Sequence, residues 1–185
     1  MKKIIIPLVA LAVAASMCSC AASGNQETKN EQEETVVSSQ QETQGENMNI
    51  PNPWGDYVTL DEAAAAAGVS FTLPDEYRSD ANIYRAMPGK MLEILVPDGD
   101  GVIRIRVTPV TDEDITGDYN VYELDPVEQI NDVNVVVKSH NQGEANVAVW
   151  SDDTYTYAVL NADGMNRDDA FDMIGSIIIS NTQAY

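Results

Sequence analysis

The strongest constraint on the fold is a β-hairpin predicted around Gly99-Asp100. Two apolar runs, residues 91–96 and 102–107, flank this pair. A two-residue turn there would pair Val96 with Ile103, Ile94 with Ile105 and Leu92 with Val107. One face of the hairpin is then wholly apolar, and the other sets Glu93 opposite Arg106, a favourable cross-strand pair. Because a slip of one residue would scatter this pattern, the sequence predicts the register as well as the strands.

Further hairpins are predicted between residues 127 and 160. One turns at Asn131-Asp132, between runs 127–130 and 133–138. Another joins residues 147–150 to 155–160, where a tight turn is predicted to set Trp150 opposite Tyr155. Consecutive hairpins need no crossover. They indicate a single antiparallel meander sheet of about six strands.

Two helices flank these strands in the sequence. Thr59 is a predicted N-cap and Gly68 a predicted C-terminal stop for a short alanine-rich helix. Asn166 is the predicted N-cap of a closing helix, whose apolar stripe consists of Ala170, Phe171, Ile174, Ile177 and Ile178. The predicted fold class is therefore α+β, with a short N-terminal helix and a C-terminal helix packed on one face of the sheet.

The first twenty residues have the form of an export signal. Lys2 and Lys3 precede an apolar run over residues 4–17, which is too short to span a bilayer and is typical of a signal peptide. Ser19-Cys20 then resembles the lipobox of bacterial lipoproteins, in which a small residue precedes the lipidated cysteine. We therefore predict a lipoprotein signal peptide over 1–20, with diacylation (palmitate-type acyl chains) of Cys20 that anchors the chain to the membrane.

Composition separates a tether from a folded domain. Residues 21–49 are polar, contain no aromatic residue and include six glutamates, which predicts a disordered acidic tether before a domain over 50–185. The whole chain carries 10 Lys and Arg against 30 Asp and Glu, a net charge of −20. Binding to nucleic acid requires a basic surface, so we predict no nucleic-acid partner.

Few residues suggest a reaction. The only imidazole is His140, no thiol follows Cys20, and no catalytic residue or cofactor is predicted. Paired acidic loops are calcium candidates, through Asp98, Asp100, Asp112 and Asp114, although turns also select Asp for backbone hydrogen bonding. The aromatic side chains Trp54, Trp150, Tyr155 and Tyr157 are candidates for a binding surface, but a cross-strand pair such as Trp150 with Tyr155 more often packs in the core.

Several segments resemble a known group of proteins. The opening 50–54, the helix 59–68 and Phe71 with Pro74 are similar to uncharacterised Gram-positive lipoproteins. The later stretch, from 133 through Trp150 to 174–177, is similar to a bacterial domain of unknown function. This C-terminal domain also occurs on anti-sigma-factor-like membrane proteins. The resemblance implies an α+β domain and no assigned activity. A looser similarity to lipoprotein-carrier folds is an analogy of fold.

The sequence thus predicts a non-enzymatic binding or structural module, lipid-anchored on the outer side of the cell membrane, with an envelope protein as a possible partner. The first alternative is a carrier of an apolar ligand such as a lipid. It requires a cavity between sheet and helix lined by Leu92, Ile94, Ile105, Phe171 and Ile174. The second alternative is a hydrolase that uses two convergent carboxylates.

Overall fold

The computed structural model describes residues 52–182, in which eight strands and two helices form. The strands are β1 (Gly55–Tyr57), β2 (Ile83–Met87), β3 (Met91–Asp98), β4 (Gly101–Pro109), β5 (Val127–Ile130), β6 (Val133–Lys138), β7 (Glu144–Ser151) and β8 (Tyr155–Asn166). The helices are α1 (Leu60–Ala67) and α2 (Arg167–Thr182), and a short 3-10 helix covers Asp75–Tyr77. The predictions for 1–20 and 21–49, including Cys20, lie outside the described residues.

All eight strands form one antiparallel sheet in the order β1-β2-β3-β4-β8-β7-β6-β5. The α+β class with a C-terminal helix is confirmed. The prediction of about six strands in a single meander is wrong. Strands β1 and β2 extend one edge, and two meanders, β1–β4 and β5–β8, meet where β4 pairs with β8. The chain does not turn back after Pro109 but crosses the sheet through residues 110–126, which leaves the edge of β4 free for β8.

The two most specific turn predictions are confirmed. Strands β3 and β4 pair in the predicted register, with Glu93 opposite Arg106, and Gly99 has the positive φ (55°) that a tight turn requires at its first position. In the next hairpin, Asn131 and Asp132 both have positive φ, which is the type I′ arrangement.

The predicted pairing of Trp150 with Tyr155 is wrong by two residues. Trp150 lies opposite Tyr157, because the turn falls on residues 153–154, one position later than predicted. The Asp152 carboxylate accepts hydrogen bonds from the N–H groups of Thr154 and Tyr155, at 2.7 Å each, and so fixes this turn. The shift is even, so the side chains keep their faces of the sheet.

Both helices pack on the same side of the sheet, which we call the inner face. Thr59 Oγ1 accepts a hydrogen bond from the Glu62 N–H, and Gly68 ends α1 in the left-handed conformation. Asn166 Oδ1 accepts from the N–H of Asp168, which begins α2 as predicted. Three alanines of α1 and three isoleucines of α2 join the inner-face side chains of the sheet in one continuous core; they are Ala63, Ala64, Ala67, Ile174, Ile177 and Ile178.

The opposite side, which we call the outer face, is covered in part by the connection between β4 and β5. Ile115 of this connection is buried against Val147, Ala158 and Leu160, and these four residues form a second, smaller core cluster. The remainder of the outer face, on strands β2 to β4, carries charged side chains.

Candidate functional site

An arginine cluster lies on the outer face, and we define it as Arg85, Glu93, Arg104 and Arg106. Arg85 of β2 and Arg106 of β4 are both cross-strand partners of Glu93 on β3. Arg104 lies two residues before Arg106, so the alternation of a β-strand sets it on the same face. Only the pair of Glu93 with Arg106 was predicted from the sequence.

The Glu93 carboxylate is fully buried and receives all three guanidinium groups. Its Oε1 accepts a hydrogen bond from Arg85 Nη2. Its Oε2 lies 2.8 Å from both Nε and Nη2 of Arg106, and 3.1 Å from Arg104 Nε. Burial of a lone carboxylate would be costly, and paired cations offset that cost. Three guanidiniums against one carboxylate leave the cluster with an excess of positive charge.

Arg106 has a structural role in this cluster. Its Nη1 donates to the carbonyl oxygens of Ile115 (2.9 Å) and Thr116 (2.6 Å), and so it holds the 110–126 connection against the sheet. Gly117 follows with φ +57°, and a Cβ there would lie 2.8 Å from the same Nη1. Glycine at this position therefore permits both the backbone conformation and the close approach of the arginine.

Trp54 lies over the arginine cluster. The Cζ atoms of Arg85 and Arg106 are each 5.5 Å from the centroid of its ring, within the range of cation–π attraction. Trp54 was predicted as part of a binding surface. In the structure it is half-buried, and its ring contacts these arginines.

The other three predicted surface aromatics lie on the inner face. Trp150 and Tyr157 are buried and stack with their centroids 5.2 Å apart, and Tyr155 contacts Tyr157 edge-on at 6.2 Å. The Tyr155 hydroxyl accepts from the Ser70 N–H, and the Tyr157 hydroxyl donates to Asp152. Trp150 and Tyr157 therefore pack in the core, which is the alternative that the sequence favoured, and they do not form a surface platform.

The structure does not gather the four calcium candidates into a site. Asp98 accepts a hydrogen bond from Asn161, and Asp114 accepts from both the N–H and the hydroxyl of Thr116. Asp100 and Asp112 are exposed. Within residues 52–182, no group of three or more His, Cys, Asp or Glu side chains is positioned to hold a metal ion.

A small pocket opens beside Arg104, with a volume of about 120 Å³. It is lined by Val102, Arg104, Gly117, Asp118, Asn120, Asn146, Leu160 and Ala162. The Arg104 side chain is 40% exposed and, among the described residues, takes part in the ion pair with Glu93 but in no hydrogen bond. This pocket was not predicted from the sequence, although the alternation Arg104-Ile105-Arg106 indicates that two cations share one strand face.

Asp118 carries the negative charge of this pocket. Burial raises its pKa, but hydrogen bonds from the Tyr122 hydroxyl and the Asn120 N–H outweigh that effect, so the pKa of Asp118 lies below its ordinary value. Burial, followed by the bond to Asp118, raises the pKa of the Tyr122 hydroxyl. Asp118 is therefore a carboxylate at neutral pH, and Tyr122 stays protonated.

His140, the only imidazole, is already engaged near a strand end. Its Nδ1 lies 2.7 Å from Glu123 Oε2, and its ring lies 4.8 Å from that of Tyr122. The hydrogen bond with His140 lowers the pKa of the exposed Glu123. The neighbouring Ser139 is buried, and its hydroxyl has no hydrogen-bond partner among residues 52–182, so it is not aligned with this imidazole.

The space proposed for an apolar ligand is filled. Leu92, Ile94, Ile105 and Ile174 are fully buried members of the inner-face core, and Phe171 is half-buried beneath Arg167. An open crevice of about 590 Å³ lies beside the first turn of α2, but its lining includes the carboxylates of Glu76, Asp98, Asp169 and Asp172. Apolar side chains such as Val96, Ile103 and Met173 also line the crevice, but its four carboxylates disfavour an acyl chain.

Searches against family models, curated proteins and solved structures found no match to this chain. The resemblance to Gram-positive lipoproteins therefore stays a prediction. Across the part of the chain that the structure describes, neither helix is long and apolar enough to cross a membrane.

Proposed function

We propose that this chain is an extracytoplasmic lipoprotein, anchored through Cys20, whose folded domain is a non-catalytic binding module. Its binding surface is the outer face around Arg104. The observation that carries this proposal is the Arg104 guanidinium, which is partly exposed beside a pocket and makes no hydrogen bond to the described residues. A guanidinium offers five N–H donors, so Arg104 retains donors for a ligand.

The distribution of charge supports this choice of surface. Residues 52–182 contain seven basic side chains, namely Arg78, Arg85, Lys90, Arg104, Arg106, Lys138 and Arg167. Three of the seven lie in the arginine cluster, although the chain as a whole is strongly acidic. A concentration of cations at one position of an acidic domain attracts a ligand that carries negative charge.

The chemistry of the cluster favours binding over catalysis. Arginine keeps its proton at all physiological pH values, so it does not act as a general acid or base there. It does form directional, charge-assisted hydrogen bonds to carboxylate or phosphate oxygens. The hydrolase alternative requires two carboxylates converging in a cleft, and in the arginine cluster the one carboxylate, Glu93, is already occupied by guanidiniums.

A comparison of Arg104→Gln with Lys90→Gln tests the binding face. Each variant removes one positive charge, but Lys90 is exposed and does not line the pocket. Because a weakly bound ligand is lost on purification, each purified protein is mixed again with a low-molecular-weight extract of the cells. Native mass spectrometry is then expected to show a bound small molecule on the wild-type chain and on Lys90→Gln. Its occupancy should fall at least tenfold in Arg104→Gln. A wild-type chain that carries no ligand, or equal occupancy in both variants, would contradict the proposal.

The anchor is tested separately with Cys20→Ala. Removing the thiol prevents attachment of the diacylglycerol, so we expect the protein to move from the membrane fraction to the soluble or secreted fraction. Cell fractionation and immunoblotting measure this, and Cys18→Ala is the matched control that should remain with the membrane. Retention of Cys20→Ala in the membrane fraction would rule out this mode of anchoring.

A further inference from the structure

The pocket beside Arg104 presents one positive and one negative side chain. Arg104 and Asp118 both line it. The Asp118 oxygens accept hydrogen bonds from the Tyr122 hydroxyl and the Asn120 N–H, and each oxygen keeps a further lone pair for a ligand. A simple anion would be attracted by Arg104 but repelled by Asp118. A simple cation would be attracted by Asp118 but repelled by Arg104. A ligand that carries both charges satisfies both side chains.

Asn146 supplies an independent observation. It lines the same pocket and is only 4% exposed. Its Oδ1 is buried and has no hydrogen-bond partner among the described residues, while its Nδ2 makes a long 3.4 Å bond to the carbonyl of Ala162. A buried amide oxygen without a donor is costly. Oδ1 itself has almost no accessible surface, so the amide must rotate toward the pocket before a ligand N–H can donate to it.

The rest of the pocket limits the size and character of the ligand. Val102, Leu160 and Ala162 give it an apolar wall, against which a small aliphatic group can pack. Its volume of about 120 Å³ is well below that of sites for drug-sized ligands. The ligand therefore has few non-hydrogen atoms, and its opposite charges are close together.

We propose that this pocket binds a small free α-amino acid of the glycine or alanine type. The carboxylate would bind Arg104 and the side chain would face the apolar wall. The ammonium would donate to Asp118 and, once the Asn146 amide has rotated, to its Oδ1. This inference rests on the proposed function, because it assigns a ligand class to the same binding face. A ligand of so few atoms binds with a Kd in the micromolar to millimolar range.

NMR titration of the purified full chain tests the ligand class. The probes are glycine and L-alanine, with acetate and methylammonium as compounds that carry only one of the two charges. We expect the amino acids to shift the resonances of the Asn146 side-chain amide and the Gly117 backbone amide in a saturable manner. Their Kd should be at least tenfold lower than that of acetate or methylammonium. If acetate binds as tightly as alanine, the zwitterion inference is overturned while the proposed binding face survives. If no probe binds and the cell extract supplies no ligand, both fail.

Variants separate the contribution of each group. Arg104→Gln and Asp118→Asn should each weaken alanine binding about tenfold or more, since each removes a charge-assisted hydrogen bond. Tyr122→Phe removes the hydroxyl that binds Asp118 but keeps the carboxylate, so it controls for disturbance of the 110–126 connection and should retain binding within about threefold. Equal affinity for alanine in wild type and Asp118→Asn would overturn the assignment of the ammonium site.

Discussion

Replacing Glu93 by glutamine is expected to lower the free energy of unfolding by about 3–5 kcal/mol. Glu93 is fully buried, and its carboxylate is the shared partner of Arg85, Arg104 and Arg106. Glutamine has nearly the same size, so the change removes the negative charge and leaves the packing in place. Three guanidiniums then lie together with no anion, and the loss arises from their uncompensated charge.

Urea denaturation at equilibrium measures this loss, and Glu128→Gln is the matched control. Glu128 forms an ion pair with Arg167, and both side chains are partly exposed. Removing this ion pair should therefore lower the free energy of unfolding by about 0–1 kcal/mol. A second measurement adds sulfate, whose negative charge can partly replace the missing carboxylate. Sulfate should therefore stabilise Glu93→Gln more than wild type. Equal stability of Glu93→Gln and Glu128→Gln would show that the cluster does not depend on the carboxylate.

The second large effect is expected for Ile174→Ala, at about 2–5 kcal/mol. Ile174 is fully buried where α2 packs on the inner face, and truncation leaves a cavity in the continuous core. The same helix offers a matched control in Ile179, which is 51% exposed. Ile179→Ala should change stability by less than about 1 kcal/mol, because little apolar area is lost and alanine is the better helix former.

Chemical denaturation of both variants distinguishes core from surface along α2. Similar losses at the two positions would contradict the packing of the helix on the sheet. Phe171→Ala should fall between them, since Phe171 is half-buried and contacts the Arg167 guanidinium at 4.6 Å. The apolar stripe predicted from the sequence contains both Phe171 and Ile174, but only Ile174 is fully buried.

Within the arginine cluster, some residues stabilise the fold and one is proposed to bind the ligand. Glu93 and Arg106 are structural, since Arg106 also bonds the carbonyls of Ile115 and Thr116 and so positions the 110–126 connection. That connection carries Asp118 and Asn120 to the pocket. Arg85 and Arg104 each have an Nε without a hydrogen-bond partner, but Arg104 is the member that donates no hydrogen bond to any described residue. The same charged cluster therefore builds one wall of the pocket and supplies its cation.

Locally encoded features were predictable from the sequence. The register of β3 with β4 follows from alternating apolar residues around a two-residue turn, and the Asn131-Asp132 turn follows from residues that tolerate positive φ. The caps at Thr59 and Asn166 depend on side chains that bond N–H groups two or three residues away. In each case the residues that interact are close in the chain, so few other local conformations compete with the observed one.

Only the tertiary structure decided which distant strands meet. The pairing of β4 with β8 depends on the course of residues 110–126 over the outer face, and no local pattern specifies that course. The Trp150–Tyr157 register depends on a side-chain bond within the turn, which shifted it from the predicted pair. The pocket joins Arg104, Asp118 and Asn146 from three separate segments. The sequence determined the hairpins, caps and faces because they arise from short-range bonding. The order of the strands and the site arose from long-range packing, which periodicity and turn chemistry do not encode.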